Sequence, residues 1–308
     1  MSTTQDNAHE EQVEAKEILV EEHASKESAH ARETSSHEAT QELQHENSLA
    51  AEPVFNIGSF TVTNSLLNTW LVVFVVIVIA LILKAKAKQI PQGIQNIFEM
   101  TMEAFFGIFD SVTGSRKKTL IFFPFVFSFF IIILLNNWLG IIPGVGSIGK
   151  IVSEEGHAVF VPFFRSGMAD LNSTLALALI GVIASHIFGI VSVGGWHYTN
   201  KFINLKALAE IPKKVVKEPT ILIVNPIKVF VGIIEIIGEF AKVASLSFRL
   251  FGNIFAGEVL LASMAAILAI GLPLPFMLLE ILVGLIQALI FAMLILAYLT
   301  INTSKKEH

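Results

Sequence analysis

Five long apolar stretches dominate this sequence and restrict the chain to one class of fold. They lie at roughly 66–83, 120–142, 171–194, 227–267 and 276–302. A bilayer crossing needs about 20 apolar residues in a helix, because a helix satisfies its own backbone hydrogen bonds where water is absent. Charged residues make up only 15% of the 308 residues, a balance too apolar for a soluble domain. The sequence therefore predicts an all-α integral membrane protein with five transmembrane helices.

The first 52 residues have the opposite character. They hold 13 Asp and Glu against 3 Lys and Arg, with almost no aromatic or large apolar residues. Such a segment cannot bury enough surface to offset the entropy lost on ordering. We expect residues 1–52 to form a disordered acidic tail and residues 53–308 to form the membrane domain.

No metal site or cofactor site is expected from the residue types present. The chain has no cysteine, which excludes disulfides and thiolate metal sites. Five histidines in the acidic tail could bind a metal weakly, but they lack the regular spacing of a ligand set. We expect no metal and no cofactor.

Basic residues are distributed unevenly among the connections between the apolar stretches. The connections after the first and third stretches, together with the C-terminus, carry 13 Lys and Arg, whereas the tail and residues 143–170 carry 5. Because cytoplasmic connections are enriched in basic residues, we expect the acidic tail outside the cell and the C-terminus in the cytoplasm. Residues 143–170 then form an external loop, in which several glycines and Pro162 favour an irregular connection.

Residues 91–112, between the first two stretches, show the pattern of an amphipathic helix. Large apolar residues recur every three or four positions from Ile94 to Phe109, and polar residues such as Glu99 and Asp110 fill the other face. We predict a helix that lies in the cytoplasmic interface of the membrane or packs on a partner subunit.

The fourth apolar stretch is longer than a simple crossing requires. Asn225 and Pro226 form a typical helix start, and no proline follows until Pro273. An uninterrupted helix of this length would span roughly 60 Å, against a hydrocarbon core of about 30 Å. We expect a tilted or bent helix that forms an antiparallel hairpin with the fifth stretch across a short turn at 271–275.

Polar residues of the fourth stretch fall on one helical face at about 100° per residue, with Glu258 opposite. The residues of this face are Glu235, Lys242, Ser245, Arg249 and Asn253. An arginine inside a membrane is costly and indicates a functional site. Since arginine keeps its proton in proteins, Arg249 is a fixed positive charge, and Ser245 joins the candidate ion path because it shares this face. On the fifth stretch, Glu280 and Gln287 share a face, and we expect Gln287 to lie near Arg249.

Several segments resemble subunit a of the F-type ATP synthases. The most specific is SLSFRLFGNIFAGE at 245–258, followed by Gln287 in the last apolar stretch. NNWLGIIPG at 136–144 and ADLNSTLALAL at 169–179 are supporting matches. The resemblance covers roughly 66–302.

This resemblance implies a stator subunit that moves ions past a rotating ring of c subunits and is not an enzyme on its own. It implies that the long helical hairpin faces the c-ring, and that Arg249 separates two half-channels and attracts the ring carboxylates. Glu235 matches a position toward the cytoplasmic path. The residues that match the outer half-channel and the surroundings of the arginine are Glu258, Glu280, Asn253 and Gln287.

The same resemblance implies the setting of the protein. The expected partners are the c-ring, subunit b of the peripheral stalk and membrane lipid, with no nucleic acid. The expected location is a bacterial inner membrane, with protons as the coupling ion.

Several alternatives remain open from the sequence. Glu258 and Glu280 are both carboxylates where some relatives pair a carboxylate with histidine; in contact they would titrate as a coupled pair, and sodium is an alternative coupling ion. Arg249 could instead bind the anionic substrate of a secondary transporter, although no internal repeat is present.

Three further polar residues each allow two interpretations. Lys242 could pair with Glu239, or it could reach the cytoplasmic interface. His186 could line a water path or be a structural histidine. Asp170 could serve only as a helix cap.

Overall fold

The computed structural model describes residues 50–86, 91–154, 157–202, 221–268 and 271–304. The helices in these residues are α1 (Asn64–Lys86), α2 (Ile94–Thr113), α3 (Arg116–Ile141), α4 (Leu171–Val193), α5 (Gly195–Phe202), α6 (Ile221–Ile267) and α7 (Pro273–Thr303). The strands are β1 (Pro53–Ile57), β2 (Phe60–Thr63), β3 (Gly149–Glu154) and β4 (His157–Pro162). The predicted all-α membrane fold is confirmed, with two small strand pairs added. The tail predicted over 1–52 lies almost entirely outside the described residues.

Four of the described helices, α1, α3, α4 and α7, are long and apolar enough to cross a membrane. They coincide with four of the five predicted spans, so the chain is a multi-pass membrane protein. The remaining predicted span, 227–267, corresponds to α6. This is a single helix of 47 residues, which at 1.5 Å per residue is roughly 70 Å long.

The start predicted for the fourth span at Asn225 and Pro226 is wrong. The structure describes α6 from Ile221, so that Pro226 lies inside the helix. A proline inside a helix removes one backbone hydrogen bond and crowds the carbonyl group four residues earlier. The helix nevertheless continues on its N-terminal side through the apolar residues Ile221–Val224.

The helices α6 and α7 pack against each other as an antiparallel hairpin. Gly257 contacts Glu280 near the connecting turn, and Lys242 lies over the ring of Tyr298 farther along. Residue numbers therefore fall along one helix as they rise along the other, which confirms the predicted hairpin. Gly271 in the turn has a φ of 100°, a conformation that favours glycine.

The core lies where α3, α4 and α6 meet α7. The α3–α7 contact is the most extensive between any two elements, and Ile133 of α3 and Ile295, Leu296 and Leu299 of α7 are fully buried there. Many large apolar side chains outside this core are exposed, Phe74 of α1 by 64% among them. Exposed apolar surface on this scale is typical of lipid-facing helices rather than of a soluble protein.

The amphipathic helix predicted over 91–112 is present as α2. Its side chains Phe105 and Phe109 are buried, and Phe105 packs edge-to-face on Phe127 of α3 with ring centroids 5.3 Å apart. The chain itself therefore covers the inner stripe of this helix. Ile97 and Met100 remain exposed.

The hairpin β1–β2 was not predicted from the sequence. The two antiparallel strands are joined by Gly58 and Ser59, with Ile57 opposite Phe60. Gly58 has a φ of 64°. The aromatic and β-branched residues on both sides of a Gly-Ser pair are a hairpin signal that the apolar stretches next to it overshadow.

The chain divides into two compact units, and the strands β3 and β4 supply the described part of the smaller one. The described residues of this unit are 150–154 and 157–161, and all the described helices belong to the other unit. The prediction of an irregular connection over 143–170 is wrong at these paired strands. The segment HAVFVP that forms β4 is rich in residues that favour strands, and Pro162 is its last residue, where proline is tolerated.

Candidate functional site

The predicted polar face of α6 is exposed over its central part. Ser245, Arg249 and Asn253 are all exposed on consecutive turns. Nη2 of Arg249 donates a hydrogen bond to Oγ of Ser245 at 3.3 Å. Nδ2 of Asn253 donates to the carbonyl oxygen of Arg249 at 2.8 Å. The sequence thus placed these three residues correctly relative to each other.

Small residues make this face open to the approach of another helix. Gly252 and Ala256 are exposed beside Arg249, and a Cβ atom added to Gly252 would meet no heavy atom within 4 Å. Short side chains let helix backbones come close together in a membrane. The face therefore combines a permanent cation with a surface that a partner helix can contact closely.

Glu258 lies on the other side of α6 and forms an ion pair that the sequence did not predict. Nε of Arg165 donates to both carboxylate oxygens of Glu258, at 2.9 and 3.0 Å, and Nη2 donates to Oε2 at 2.9 Å. Nη1 of Arg165 also donates to the carbonyl oxygen of Ala50 at 3.2 Å. Arg165 lies just before the ADLNSTLALAL segment. As an arginine in an apolar chain, it could have been recognised from the sequence as a candidate partner of a buried carboxylate.

Glu280 of α7 is buried, with 5% of its surface exposed. Its carboxylate lies against Gly257, where any Cβ atom would collide with it. Among the described side chains, none forms an ion pair with Glu280. Glu258 and Glu280 are therefore held at adjacent positions of the hairpin in different environments. We refer to Arg165, Gly257, Glu258 and Glu280 as the Arg165 cluster.

A second charged group, the His186 cluster, comprises His186, Tyr198, Glu239 and Lys242. Lys242 Nζ donates to Oε1 of Glu239 at 2.7 Å, which confirms the predicted pairing of these two residues. His186 Nε2 lies 3.4 Å from Oε2 of Glu239, and its Nδ1 is hydrogen-bonded to the hydroxyl of Tyr198. The cluster joins α4, α5 and α6.

The hydroxyl of Tyr198 and the carboxylate of Glu239 contact the two ring nitrogens of His186. Burial raises the pKa of the Tyr198 phenol, and the nearby charges of Glu239 and Glu235 raise it further. The phenol therefore stays protonated. This histidine is tied to a carboxylate rather than placed alone beside a water path.

The remaining predicted residues lie along the hairpin. Gln287 is half-buried on α7, and within the described part of the chain it makes no hydrogen bond to Arg249. Glu235 is half-buried on α6, on the His186 side of the helix pair. Asp170 caps α4 by accepting from the backbone N–H groups of Asn172 and Ser173, so its predicted capping role is confirmed.

The NNW segment ties α3 to two other helices. Asn137 Nδ2 donates to the carbonyl oxygen of Gly284 of α7 at 3.2 Å, and Asn136 Oδ1 accepts from Asn68 Nδ2 of α1 at 3.2 Å. Both asparagines are buried. Trp138 Nε1 donates to the carbonyl oxygen of Ile281 at 3.1 Å, so Asn137 and Trp138 fix α7 against α3, and Asn136 fixes α1 against α3.

No group of three or more His, Cys, Asp or Glu that could hold a metal ion occurs in the described ranges. The five histidines of the acidic tail lie outside those ranges.

A family model described as "ATP synthase A chain" matches residues 66–300. The chain belongs to this family. The ATP synthase subunit a of Trichlorobacter lovleyi is 30% identical over 236 residues, which cover 77% of this chain and 85% of that protein. That of Syntrophobacter fumaroxidans is 31% identical over 248 residues, covering 80% and 87%. The chloroplastic ATP synthase subunit a of Stigeoclonium helveticum is 30% identical over 244 residues, covering 79% and 85%.

As a member of the ATP synthase A chain family, the chain is a membrane subunit of the Fo sector. It acts as a stator subunit beside the c-ring in ion transport coupled to ATP synthesis. The ATP-forming chemistry resides in the F1 part of the complex, so this subunit is not an enzyme on its own. The resemblance seen in the sequence is thereby confirmed, and nothing favours a secondary transporter.

Proposed function

We propose that Arg249 separates two half-channels that reach the c-ring from opposite sides of the membrane. The single observation that carries this proposal is the exposed face of α6, where Arg249 stands between Ser245 and Asn253 beside small residues. A guanidinium keeps its charge at any physiological pH, so it blocks proton passage along the face. It also attracts a deprotonated ring carboxylate and favours the release of that carboxylate's proton.

In this proposal the two ends of the hairpin serve different paths. Glu280, with the Arg165–Glu258 pair beside it, belongs to the path that opens outside, and Gln287 belongs to the surroundings of Arg249. Glu235 belongs to the path that opens to the cytoplasm. A ring carboxylate must be neutral before it faces lipid, since a bare charge there is costly; ion flow therefore turns the ring rather than leaking past it.

The test of this proposal is the substitution Arg249→Ala in the assembled ATP synthase. We expect ATP-driven proton pumping into inverted vesicles to be lost, while the c-ring still co-purifies with the subunit. Ser245→Ala is the comparison variant: it removes the hydrogen-bond acceptor of Arg249 and leaves the charge in place, so pumping should fall less than in Arg249→Ala. Coupled pumping retained in Arg249→Ala would contradict the proposal.

We further propose that protons are the coupling ion and that the subunit sits in a bacterial inner membrane. A buried carboxyl group such as that of Glu280, with no cationic partner among the described side chains, suits proton uptake and release. Pumping measured with and without sodium ions decides this point. A requirement for sodium would replace protons by the alternative ion.

The orientation and the remaining partners are also proposals. The uneven distribution of basic residues supports an external acidic tail over 1–52, a membrane domain over 53–308 and a cytoplasmic C-terminus. Protease added to sealed, right-side-out cells is expected to remove the tail, and protection of the tail would reverse the orientation. The exposed apolar helices support contact with membrane lipid, and subunit b is the expected stalk partner, which cross-linking in the complex tests.

A further inference from the structure

We propose that Arg165 is a positioning residue of the outer ion path, which holds Glu258 as a fixed counter-ion and leaves Glu280 as the proton-exchanging carboxylate. The proposal rests on the function proposed above for the α6–α7 hairpin. The sequence assigned Glu258 and Glu280 to the outer half-channel without distinguishing them; this proposal gives each a different role.

Arg165 and Glu258 form a closely fitted ion pair. Three hydrogen bonds of 2.9 to 3.0 Å join the guanidinium of Arg165 to both oxygens of Glu258. The Arg165 side chain is 4% exposed and that of Glu258 is 29% exposed. The guanidinium also donates to the carbonyl oxygen of Ala50, so the segment before β1 helps to fix its position. Such a bidentate contact fixes the orientation of the two side chains and adds a strong charge attraction.

The positive charge of Arg165 is permanent and needs a partner. Arginine cannot give up its proton in a protein, and a buried arginine that loses its partner is strongly unfavourable. Protonation of Glu258 would leave Arg165 in that condition. Glu258 therefore serves as the counter-ion of Arg165 rather than as the site that loads and unloads protons.

Glu280 provides the contrast within the same cluster. It is 5% exposed and lies against Gly257, the residue directly before Glu258. No described side chain supplies it with a cation. A buried carboxyl group without a cation is stable as the neutral acid, so Glu280 is the carboxylate of this cluster that is suited to holding a proton.

The proton transfer itself is simple to balance. Glu280 takes a proton from water on its side of the membrane and becomes a carboxylic acid. It then passes that proton to a ring carboxylate, one O–H bond breaking as another forms, and returns to the carboxylate form. Arg165 and Glu258 remain paired throughout.

The test compares four forms of the assembled ATP synthase: wild type, Glu280→Gln, Arg165→Gln, and the double variant Arg165→Gln/Glu258→Gln. Passive proton conduction through Fo is measured in vesicles after F1 is removed, with co-purification of the c-ring as the measure of assembly. We expect Glu280→Gln to lose conduction by about tenfold or more, a loss typical of removing a proton-transfer group. We expect Arg165→Gln to lose more than the double variant, because only the single variant leaves a buried charge unpaired.

A double variant that assembles but conducts as poorly as Glu280→Gln would overturn the proposal, since Glu258 would then be needed as a carboxylate. If Arg165→Gln fails to assemble while the double variant assembles, the pairing role is supported. Glu280→Asp supplies a second measurement: it should conduct with a changed pH profile, whereas Arg165→Lys should change the amplitude and not the profile. A changed profile in Arg165→Lys, with none in Glu280→Asp, would also overturn the proposal.

Failure of this inference is distinguishable from failure of the proposed function. Arg249→Ala is measured beside the other variants. Coupled pumping retained in that variant refutes the function of the hairpin, whatever the Arg165 variants do.

Discussion

The Arg165 cluster and the His186 cluster both tie α6 to the rest of the bundle through a carboxylate, yet their counter-ions differ. In the Arg165 cluster, Glu258 is held by a buried arginine whose charge is permanent. In the His186 cluster, Glu239 is shared between Lys242 and an imidazole that is charged only when protonated. One carboxylate of the long helix is therefore paired with a single permanent charge, and the other is shared between two side chains.

This difference has a physical consequence for the two ends. The cost of leaving a charge without its partner rises as that charge is more deeply buried. The more buried member of the first pair is Arg165, 4% exposed beside Glu258 at 29%. The more buried member of the second is Glu239, 12% exposed beside Lys242 at 31%. We therefore expect substitutions in the Arg165 cluster to have larger effects than equivalent ones in the His186 cluster.

The largest effect should come from Gly257→Ala in the Arg165 cluster. The added methyl group would occupy the position of the Glu280 carboxylate, and this flexible side chain would have to move. Because a displaced proton-transfer group loses much of its efficiency, we expect proton pumping to fall by about tenfold or more. The measurement is ATP-driven pumping in inverted vesicles, with the c-ring still co-purifying.

Gly238→Ala on the same helix is the matched control for Gly257→Ala. A Cβ atom there meets nothing within 4 Å, so pumping should be unchanged. Normal pumping in Gly257→Ala would show that Glu280 functions without its place against α6.

A smaller effect is expected for Glu239→Gln in the His186 cluster. The substitution leaves Lys242 without its carboxylate and weakens the contact of α6 with α4. We expect a loss of about 1 kcal/mol in the free energy of unfolding, the upper range for a partly exposed pair. Thermal unfolding of the purified subunit in detergent measures it, and Glu239→Gln/Lys242→Gln should recover part of the loss. A double variant less stable than the single one would contradict the pairing.

The smallest effect is expected for Asp110→Asn on α2, which gives a baseline for an exposed pair. A hydrogen bond from Thr119, followed by the contact with Arg116, lowers the pKa of the Asp110 carboxyl. The contribution of this group is therefore present above its ordinary titration range and is lost on acidification through the lowered pKa. At pH 7 we expect no measurable change in thermal unfolding. A loss of stability larger than that of Glu239→Gln would contradict the expectation that the effect of a substitution increases with the burial of the charge pair.

Much of the fold and part of the site could be predicted from the sequence. The apolar stretches gave the helices α1, α3, α4 and α7, because hydropathy over about 20 residues is a property of one segment. The face shared by Ser245, Arg249 and Asn253 was predictable because these residues are four apart, one helical turn each.

Other features could not be predicted in this way. The strands β3 and β4 were missed because each has only six residues, too few for an alternating apolar pattern to distinguish a strand from a loop. Arg165 was missed because its partner Glu258 lies 93 positions farther along the chain. The position of Pro226 inside α6 was missed because a proline occurs both in the first turn of helices and, less often, in their interior, and the sequence alone does not distinguish the two.

The sequence by itself therefore determined the membrane-spanning helices, the antiparallel hairpin and the exposed face around Arg249. Each follows from hydropathy, helical periodicity or a short turn, which act within one segment of chain. Only the tertiary structure decided the counter-ions of the carboxylates, Arg165 for Glu258 and His186 with Lys242 for Glu239. These pairings depend on the register in which distant helices pack, and that register is set by the contacts of the whole bundle.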